Sequence, residues 1–461
     1  MNYKSTRGGV SGLSFEEAVM MGLAPDGGLL IPEKIPFLNE KDLKHLSELP
    51  YTKLAYEIMS RFQQGIPAND LMEIIKKSYS EYDSGHMIPI RKAAKMKIAE
   101  LFHGQTYSFK DIALKFLGNL FEYILSKNNQ KLNILGATSG DTGSAAIYGV
   151  KGKKNINIFM LYPTGRISLV QELQMTTTNE PNVHCIEVSG TFDDCQSLVK
   201  EVFSEQSFKN KYHLGAVNSI NWARILAQTV YYFYIYFRSV KRVGDQINFV
   251  VPTGNFGNIF AGFIARKMGL PIDKLMIATN RNNILTRAVK FGDYCVERVH
   301  PTLSPAMDIQ VASNFERYLY YMFDEDTEKV VEAMDQLKFE KEIDIRGPLL
   351  GRLQRDFIAG EASDDKIKET IRDVYASSDY IVDPHTACAI YAAKVMEINN
   401  DNTVCLATAH PAKFPDAIHD VLGVWPEKPE GILRLHDDNK KSYNISLDSE
   451  ELEDIIMEHG E

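Results

Sequence analysis

The chain has 461 residues, of which 44% are hydrophobic and 24% charged, the balance of a globular protein with room for two or three domains. Its formal net charge of −10 is spread along the chain rather than gathered in blocks. That excludes general affinity for nucleic acid or an anionic membrane surface, and it requires any anionic ligand to be held by a local positive site.

Residues 1–90 combine loops such as GLAPDGGLLIPEKIP (Gly22–Pro36) with helical stretches such as DLMEIIKKSYSEY (Asp70–Tyr82). From about residue 95 to 280, short hydrophobic runs alternate with helical patterns. Strands are expected at Lys97–Phe102, Leu132–Leu135, Asn157–Leu161, Val183–Val188, Asn248–Val251 and Leu275–Thr279. Such alternation predicts parallel sheets covered on both faces. The run ILAQTVYYFYIYF (Ile225–Phe237) is shorter than the ~20 residues that span a bilayer, so it reads as a buried helix with Tyr231–Phe237 in the core. Residues 325–380 read as charged helix broken at Arg346–Pro348. A last strand, Thr403–Thr408, leads into AHPAKFP, and the acidic tail SLDSEELEDIIMEHGE reads as a terminal helix or a frayed end.

The five cysteines (Cys185, Cys195, Cys295, Cys388 and Cys405) are odd in number and contain no C-x-x-C. They match neither a disulfide framework nor a zinc site, so a reducing cytoplasm and no metal are expected. The N-terminus, MNYKSTRGGVSG, has no apolar core of a signal peptide.

Ligands of open parallel sheets bind beyond the carboxyl ends of the strands, so chemistry is sought in the strand-to-helix turns. In HGQTYSFKD (103–111), Lys110 opens a helix, where the dipole disfavours an ammonium. It reads either as a solvated lysine beside Asp111 or as a neutral-prone amine able to form an imine. In LGATSGDTGSAA (135–146), Ser139, Gly140, Asp141 and Thr142 make either a well-capped helix start or a seat for a carboxylate or phosphate. The stretch is neither a P-loop nor a nucleophile elbow. In VVPTGNFGNIF, Gly254, Asn255, Phe256, Gly257 and Asn258 suit a single phosphate and lack dinucleotide spacing. In AVNSINWARILAQ, Asn218, Ser219 and Arg224 precede or begin an apolar helix. There Arg224 is either structural or paired with a phosphate or carboxylate. An amine, a monophosphate cradle and a second anion site together describe pyridoxal phosphate chemistry on an amino-acid substrate.

At this point the chain resembles the threonine synthase family, within the fold type II (tryptophan-synthase-β-like) pyridoxal phosphate enzymes. The resemblance rests on YKSTRG, GLAPDGGLLIP, SFKD, ATSGDTG, GTFDDCQSLV, NSIN, GNFGN, LSPAMDI, DPHTA and ATAHPAKFP, which run over nearly the whole length. SFKD alone would indicate only the broader group.

The resemblance implies an α/β fold: two open twisted, mainly parallel sheet domains with the cofactor between them and an additional N-terminal segment. The expected divisions are 1–90, 91–215 for the smaller α/β domain with Lys110 and the SGDTG loop, and 216–461 for the large one with a helical insertion at about 325–380. It implies that Lys110 is the Schiff-base lysine and main acid/base, that Gly254–Asn258 cradle the cofactor phosphate, and that Thr408 meets the pyridine nitrogen. By the same resemblance, Ser139, Gly140, Asp141 and Thr142 hold the substrate α-carboxylate, and Asn218, Ser219 and Arg224 hold its phosphate. The chain departs from relatives at Gln105, often proline, and at Asp141, asparagine in several; a carboxylate at 141 would repel a carboxylate-bearing substrate. His410, Lys413 and His385 lie in matching stretches and read as structural.

The implied reaction takes O-phospho-L-homoserine and water to L-threonine and phosphate, the last step of threonine biosynthesis. The same Lys110 and phosphate site would also serve a lyase giving 2-oxobutanoate. A non-catalytic, ligand-binding relative is disfavoured by the intact lysine and glycine turn. Oligomeric state is not fixed by the sequence.

Overall fold

The structure, a computed structural model, describes residues 1–460, the Asp438 side chain excepted. Fifteen strands follow one another in these residues. They are β1 (Tyr3–Ser5), β2 (Leu30–Pro32), β3 (Ile90–Ala93), β4 (Met96–Glu100), β5 (Leu132–Ala137), β6 (Ile156–Pro163), β7 (Val183–Val188), β8 (Leu214–Gly215) and β9 (Ile247–Pro252). The remainder are β10 (Ile272–Thr279), β11 (Asp293–Cys295), β12 (Glu342–Asp344), β13 (Ile358–Glu361), β14 (Thr403–Ala407) and β15 (Tyr443–Ile445). The seven strands read from the sequence are β4, β5, β6, β7, β9, β10 and β14, with ends shifted by a few residues.

The chain divides into two compact units. The larger contains Met1–Phe102 and Ser219–Pro426. Its six-stranded sheet runs β13-β10-β9-β14-β4-β3, and only β3 against β4 is antiparallel. Val250, Met276, Ala278 and Cys405 from the sheet meet Ala387, Cys388 and Ala389 of the Pro384–Val395 helix in a solvent-free core. Strands this apolar are buried on both faces, as a parallel sheet under helices demands. The Trp222–Ser239 helix is buried without interruption from Trp222 to Tyr236. Among the described residues no helix is long and apolar enough to cross a membrane.

The smaller unit contains His103–Asn218 and the segment from Glu427 onward. Its five-stranded sheet, β15-β7-β6-β5-β8, is parallel throughout. The acidic tail forms a helix, Ser449–His459, capped by the Asp448 side chain. Its Leu452 and Ile456, four residues apart on one face, enter the core beside Ile186, Val188 and Leu198. The tail's last turn is fixed by a ring stack: His184 lies 4.7 Å from Phe159 and 4.5 Å from His459. The Tyr443 hydroxyl and His459 Nε2 are hydrogen-bonded at 2.8 Å.

Burial, and then the neighbouring His459, push the His184 imidazole from 6.5 down to about 4. A folded-state value below the unfolded one means that its neutral form contributes stability fully above pH 6.5, lost as pH falls towards 4. The melting temperature is therefore expected to drop across that window, and His184→Phe is expected to flatten the drop; thermal melts at stepped pH check this.

The units are not contiguous segments, unlike the expected divisions at residues 90 and 215. Strand β4 belongs with the larger unit because it pairs with β14 (Val404 opposite Lys97), and the tail joins the smaller because β15 pairs with β7. The region 325–380 is also not wholly helical. Between its helices lie β12 and β13, and β13 forms the edge of the main sheet with Ile358 opposite Met276. Its sequence, IAGE, has too little alternation to announce a strand; pairing with β10 is what makes it one.

Candidate active site

In the smaller unit, Lys110 is the first residue of the Lys110–Asn128 helix and Asp141 the first of the Asp141–Val150 helix. These helices cross through glycines. A Cβ on Gly118 would stand 1.9 Å from the Gly149 carbonyl oxygen, and one on Gly149 would stand 2.6 Å from the Leu114 carbonyl oxygen. Backbone contact this close sets the spacing of the two helix starts. Gly118→Ala is expected to cost about 3 kcal/mol by overpacking and to lower turnover by displacing Lys110; denaturant melts and rate measurements check both.

Lys110 Nζ sits 3.7 Å from Asp141 Oδ2, with the two side chains 12% and 6% exposed. It also lies 4.9 Å from the centre of the Phe109 ring. Lys110 is thus half-buried, not a solvated surface lysine. Asp111 accepts from the Thr106 N–H at 2.8 Å and from the Thr106 hydroxyl, which folds the preceding loop onto the helix start. Gln171 Nε2 donates to Asp141 Oδ1 at 2.8 Å. The Asp141 carboxylate accordingly faces an amine and an amide donor, which answers the repulsion expected from it. Gly140 has φ +149°, and a Cβ there would meet the Gln171 amide at 2.7 Å. Thr138 Oγ1 accepts from the N–H groups of Gly140 and Gly143, tightening the loop that carries Ser139 and Thr142. Asn218 ends the first stretch of this unit, and Ser219 begins the second stretch of the larger one.

In the larger unit, β9 ends at Pro252 and the Gly257–Lys267 helix follows after one turn. Phe256 stands in the left-handed region at φ +63°, an unusual conformation for an aromatic residue. Its buried ring holds it there, packed 5.3 Å from Phe315 and 5.4 Å from Phe357. A Cβ on Gly254 would lie 2.6 Å from the Ala306 carbonyl oxygen, so only glycine fits. Asn258 Oδ1 accepts from the Tyr231 and Tyr232 hydroxyls at 2.5 and 3.0 Å, while its buried Nδ2 has no hydrogen-bond partner.

Arg224 is 4% exposed, in the first turn of the Trp222–Ser239 helix. Its Nε and Nη1 are buried without a hydrogen-bond partner, and burial pushes the guanidinium down to about 10. A buried cation without an anion is costly, and a helix start adds further positive potential. The two turns are joined. Ser219 Oγ lies 3.0 Å from Ser313 Oγ, and Ser313 donates to Asn255 Oδ1 at 3.3 Å. Unpartnered donors at Arg224 and Asn258, beside a glycine turn that opens a helix, fit phosphate groups.

Thr408 is buried immediately after β14. His410 accepts from the Ala412 N–H and stands edge-on to Phe102 at 5.3 Å. Lys413 is fully buried. His385 Nδ1 and Asp383 Oδ2 are 2.8 Å apart, and His385 Nε2 accepts from the Ala306 N–H, so this histidine supports the loop behind Gly254. No group of three His, Cys, Asp or Glu able to hold a metal ion occurs among the described residues. Sequence reading did not single out Gln171, Ser313 or Asn314. The only signal for the last two was the polar pair Ser-Asn before the apolar helix Phe315–Met322.

Three family models match the chain: Threonine synthase N terminus over residues 2–79, Pyridoxal-phosphate dependent enzyme over 99–347, and Threonine synthase, C-terminal over 386–456. A threonine synthase of Schizosaccharomyces pombe is 44% identical across 93% of this chain and 90% of its own length. The crystal structure of PLP-bound threonine synthase from Brucella melitensis superposes with a TM-score of 0.95 at 39% identity, covering 100% of this chain and 99% of that one. Threonine synthase from yeast superposes at 0.93 with 42% identity, covering 99% and 98%.

Proposed function

The chain belongs to the threonine synthase family of pyridoxal-phosphate-dependent lyases, and from that membership we propose how its own residues turn O-phospho-L-homoserine and water into L-threonine and phosphate. When bound, pyridoxal phosphate supplies the electron sink that makes the substrate Cα acidic. Lys110 is the residue we assign to hold the cofactor covalently through Nζ. Once released by the substrate amine, the same Nζ takes the proton from Cα and later returns it. Asp141, 3.7 Å away and steadied by Gln171, offsets the positive charge that Nζ carries between those transfers. That role suits a carboxylate better than binding the substrate carboxylate does. The α-carboxylate is left to Ser139, Gly140 and Thr142, at a helix start that favours an anion.

Gly254–Asn258 are assigned to the cofactor phosphate, supported by the glycine-only close approach at Gly254 and the unpartnered Asn258 Nδ2. Thr408 is assigned to the cofactor ring nitrogen; a hydroxyl there, unlike a carboxylate, does not hold that nitrogen protonated. Asn218, Ser219 and Arg224 are assigned to the substrate phosphate. The observation carrying this reading is the buried Arg224 guanidinium, whose Nε and Nη1 have no hydrogen-bond partner among the described residues. As phosphate leaves Cγ, its growing charge is stabilised by that guanidinium, already desolvated and in place. That departure goes with loss of a proton from Cβ; Cγ then gains a proton, water gives its hydroxyl to Cβ and its proton balances the released phosphate, and Cα regains its proton from Lys110 Nζ. We place the enzyme in the cytoplasm, supported by five cysteines that are all free thiols.

The test is product analysis with O-phosphohomoserine and purified holoenzyme. Threonine and phosphate in equal amounts are expected. Oxo acid and ammonia in place of threonine would overturn the role of water at Cβ, and absence of phosphate release would overturn the assignment of Arg224.

A further inference from the structure

Between the two phosphate turns of the larger unit stands a fully buried side chain outside both. Asn314 Nδ2 donates to the Asn255 carbonyl at 3.0 Å and to the Ser219 carbonyl at 3.2 Å. The Asn314 backbone N–H also donates to the Asn255 carbonyl, at 3.1 Å. Its amide is oriented from behind: Arg317 Nη1 donates to Asn314 Oδ1 at 2.5 Å, which only the nitrogen-forward orientation accepts. Arg317 is itself fully buried, donating to the Ile220 carbonyl and, at 2.8 Å, to the Leu30 carbonyl of the N-terminal segment. Glu316 adds a second tie to that segment through Thr6 at 2.6 Å and Arg7 at 2.8 Å.

A peptide group is planar, so fixing a carbonyl also fixes the N–H of the next residue. Holding the Asn255 carbonyl aims the Phe256 N–H, and holding the Ser219 carbonyl aims the Ile220 N–H. One amide therefore sets the aim of both turns at once. We propose that Asn314 is a positioning residue for both phosphate sites, kept in register by Arg317, which anchors it to the N-terminal segment. This rests on the assignment of Asn255 and Ser219 to phosphate groups.

The experiment titrates apoenzyme with pyridoxal phosphate by absorbance and measures KM and kcat for O-phosphohomoserine in wild type, Asn314→Leu, Asn314→Asp and Leu319→Ala. Loss of the two side-chain bonds is expected to raise both the cofactor Kd and the substrate KM roughly ten-fold, with kcat changed far less. Asn314→Asp keeps the acceptor for Arg317 and loses the donor, so it is expected to match Asn314→Leu. Leu319→Ala, buried on the same helix, is expected to lower the melting temperature and leave both affinities near wild type. Unchanged affinities in Asn314→Leu, an effect on one site alone, or an equal effect in Leu319→Ala would overturn the proposal. A wild-type apoenzyme that takes up no cofactor would instead overturn the phosphate assignments on which it stands.

Discussion

Lys110→Ala is expected to abolish the absorbance band of lysine-linked cofactor and to lower turnover by roughly 10⁴-fold or more, because one amine serves both as attachment point and as base. It is also expected to lower stability, since it strips Asp141, 6% exposed, of the cation 3.7 Å away. The two effects separate in a double variant. Lys110→Ala with Asp141→Asn removes the carboxylate that had faced the amine and is expected to regain part of the lost melting temperature with no return of activity. A band or threonine production surviving in Lys110→Ala would show that another residue carries the chemistry. The buried Lys413 would then be the first to substitute.

The second large effect has opposite signs for stability and function. Arg224→Met removes a buried guanidinium whose Nε and Nη1 have no partner and keeps an unbranched apolar stem. In phosphate-free buffer the variant is expected to be more stable than wild type by about 1 kcal/mol or more, because no desolvated charge remains. Its kcat/KM for O-phosphohomoserine is expected to fall roughly 10²- to 10³-fold, the value of two charge-assisted hydrogen bonds. Inorganic phosphate is expected to raise the wild-type melting temperature and leave that of Arg224→Met where it was. Thermal shifts with and without phosphate, set beside steady-state kinetics, read all three. A variant that is less stable than wild type and unimpaired with substrate would make Arg224 a structural residue.

The candidate site was legible in the sequence to the extent that its parts are local. SFKD, ATSGDTG and GNFGN each follow a hydrophobic run and precede a helical pattern. A lysine, a run of small hydroxyl residues, or two glycines at such a junction have few conformations open to them. The sharp turn at Gly254 and the helix start at Gly257 follow from residues within a few positions of one another. The rest was illegible because it depends on residues far apart in the chain. Nothing in the stretch around Gln171 says that its amide meets Asp141, and nothing in SNFER says that Asn314 meets two carbonyls while Arg317 reaches Leu30. Asp141 shows the same limit from the other side: read alone, its charge opposed a substrate carboxylate, and the tertiary structure sets it against the Lys110 amine and the Gln171 amide.

By itself, then, the sequence determined the hydrophobic strands of the two sheets, the helix starts with their caps and glycines, and the residue types suited to an amine and two phosphates. These are properties of backbone dihedrals and periodicity, set over ten residues or fewer. Tertiary structure decided that β13 is a sheet edge, that the tail helix buries Leu452 and Ile456 in the smaller unit, and that Arg224 is left buried without an anion. Those outcomes depend on which surfaces meet. An apolar stripe or a polar side chain specifies that it needs a partner, but the partner's identity comes from the packing of elements hundreds of residues apart.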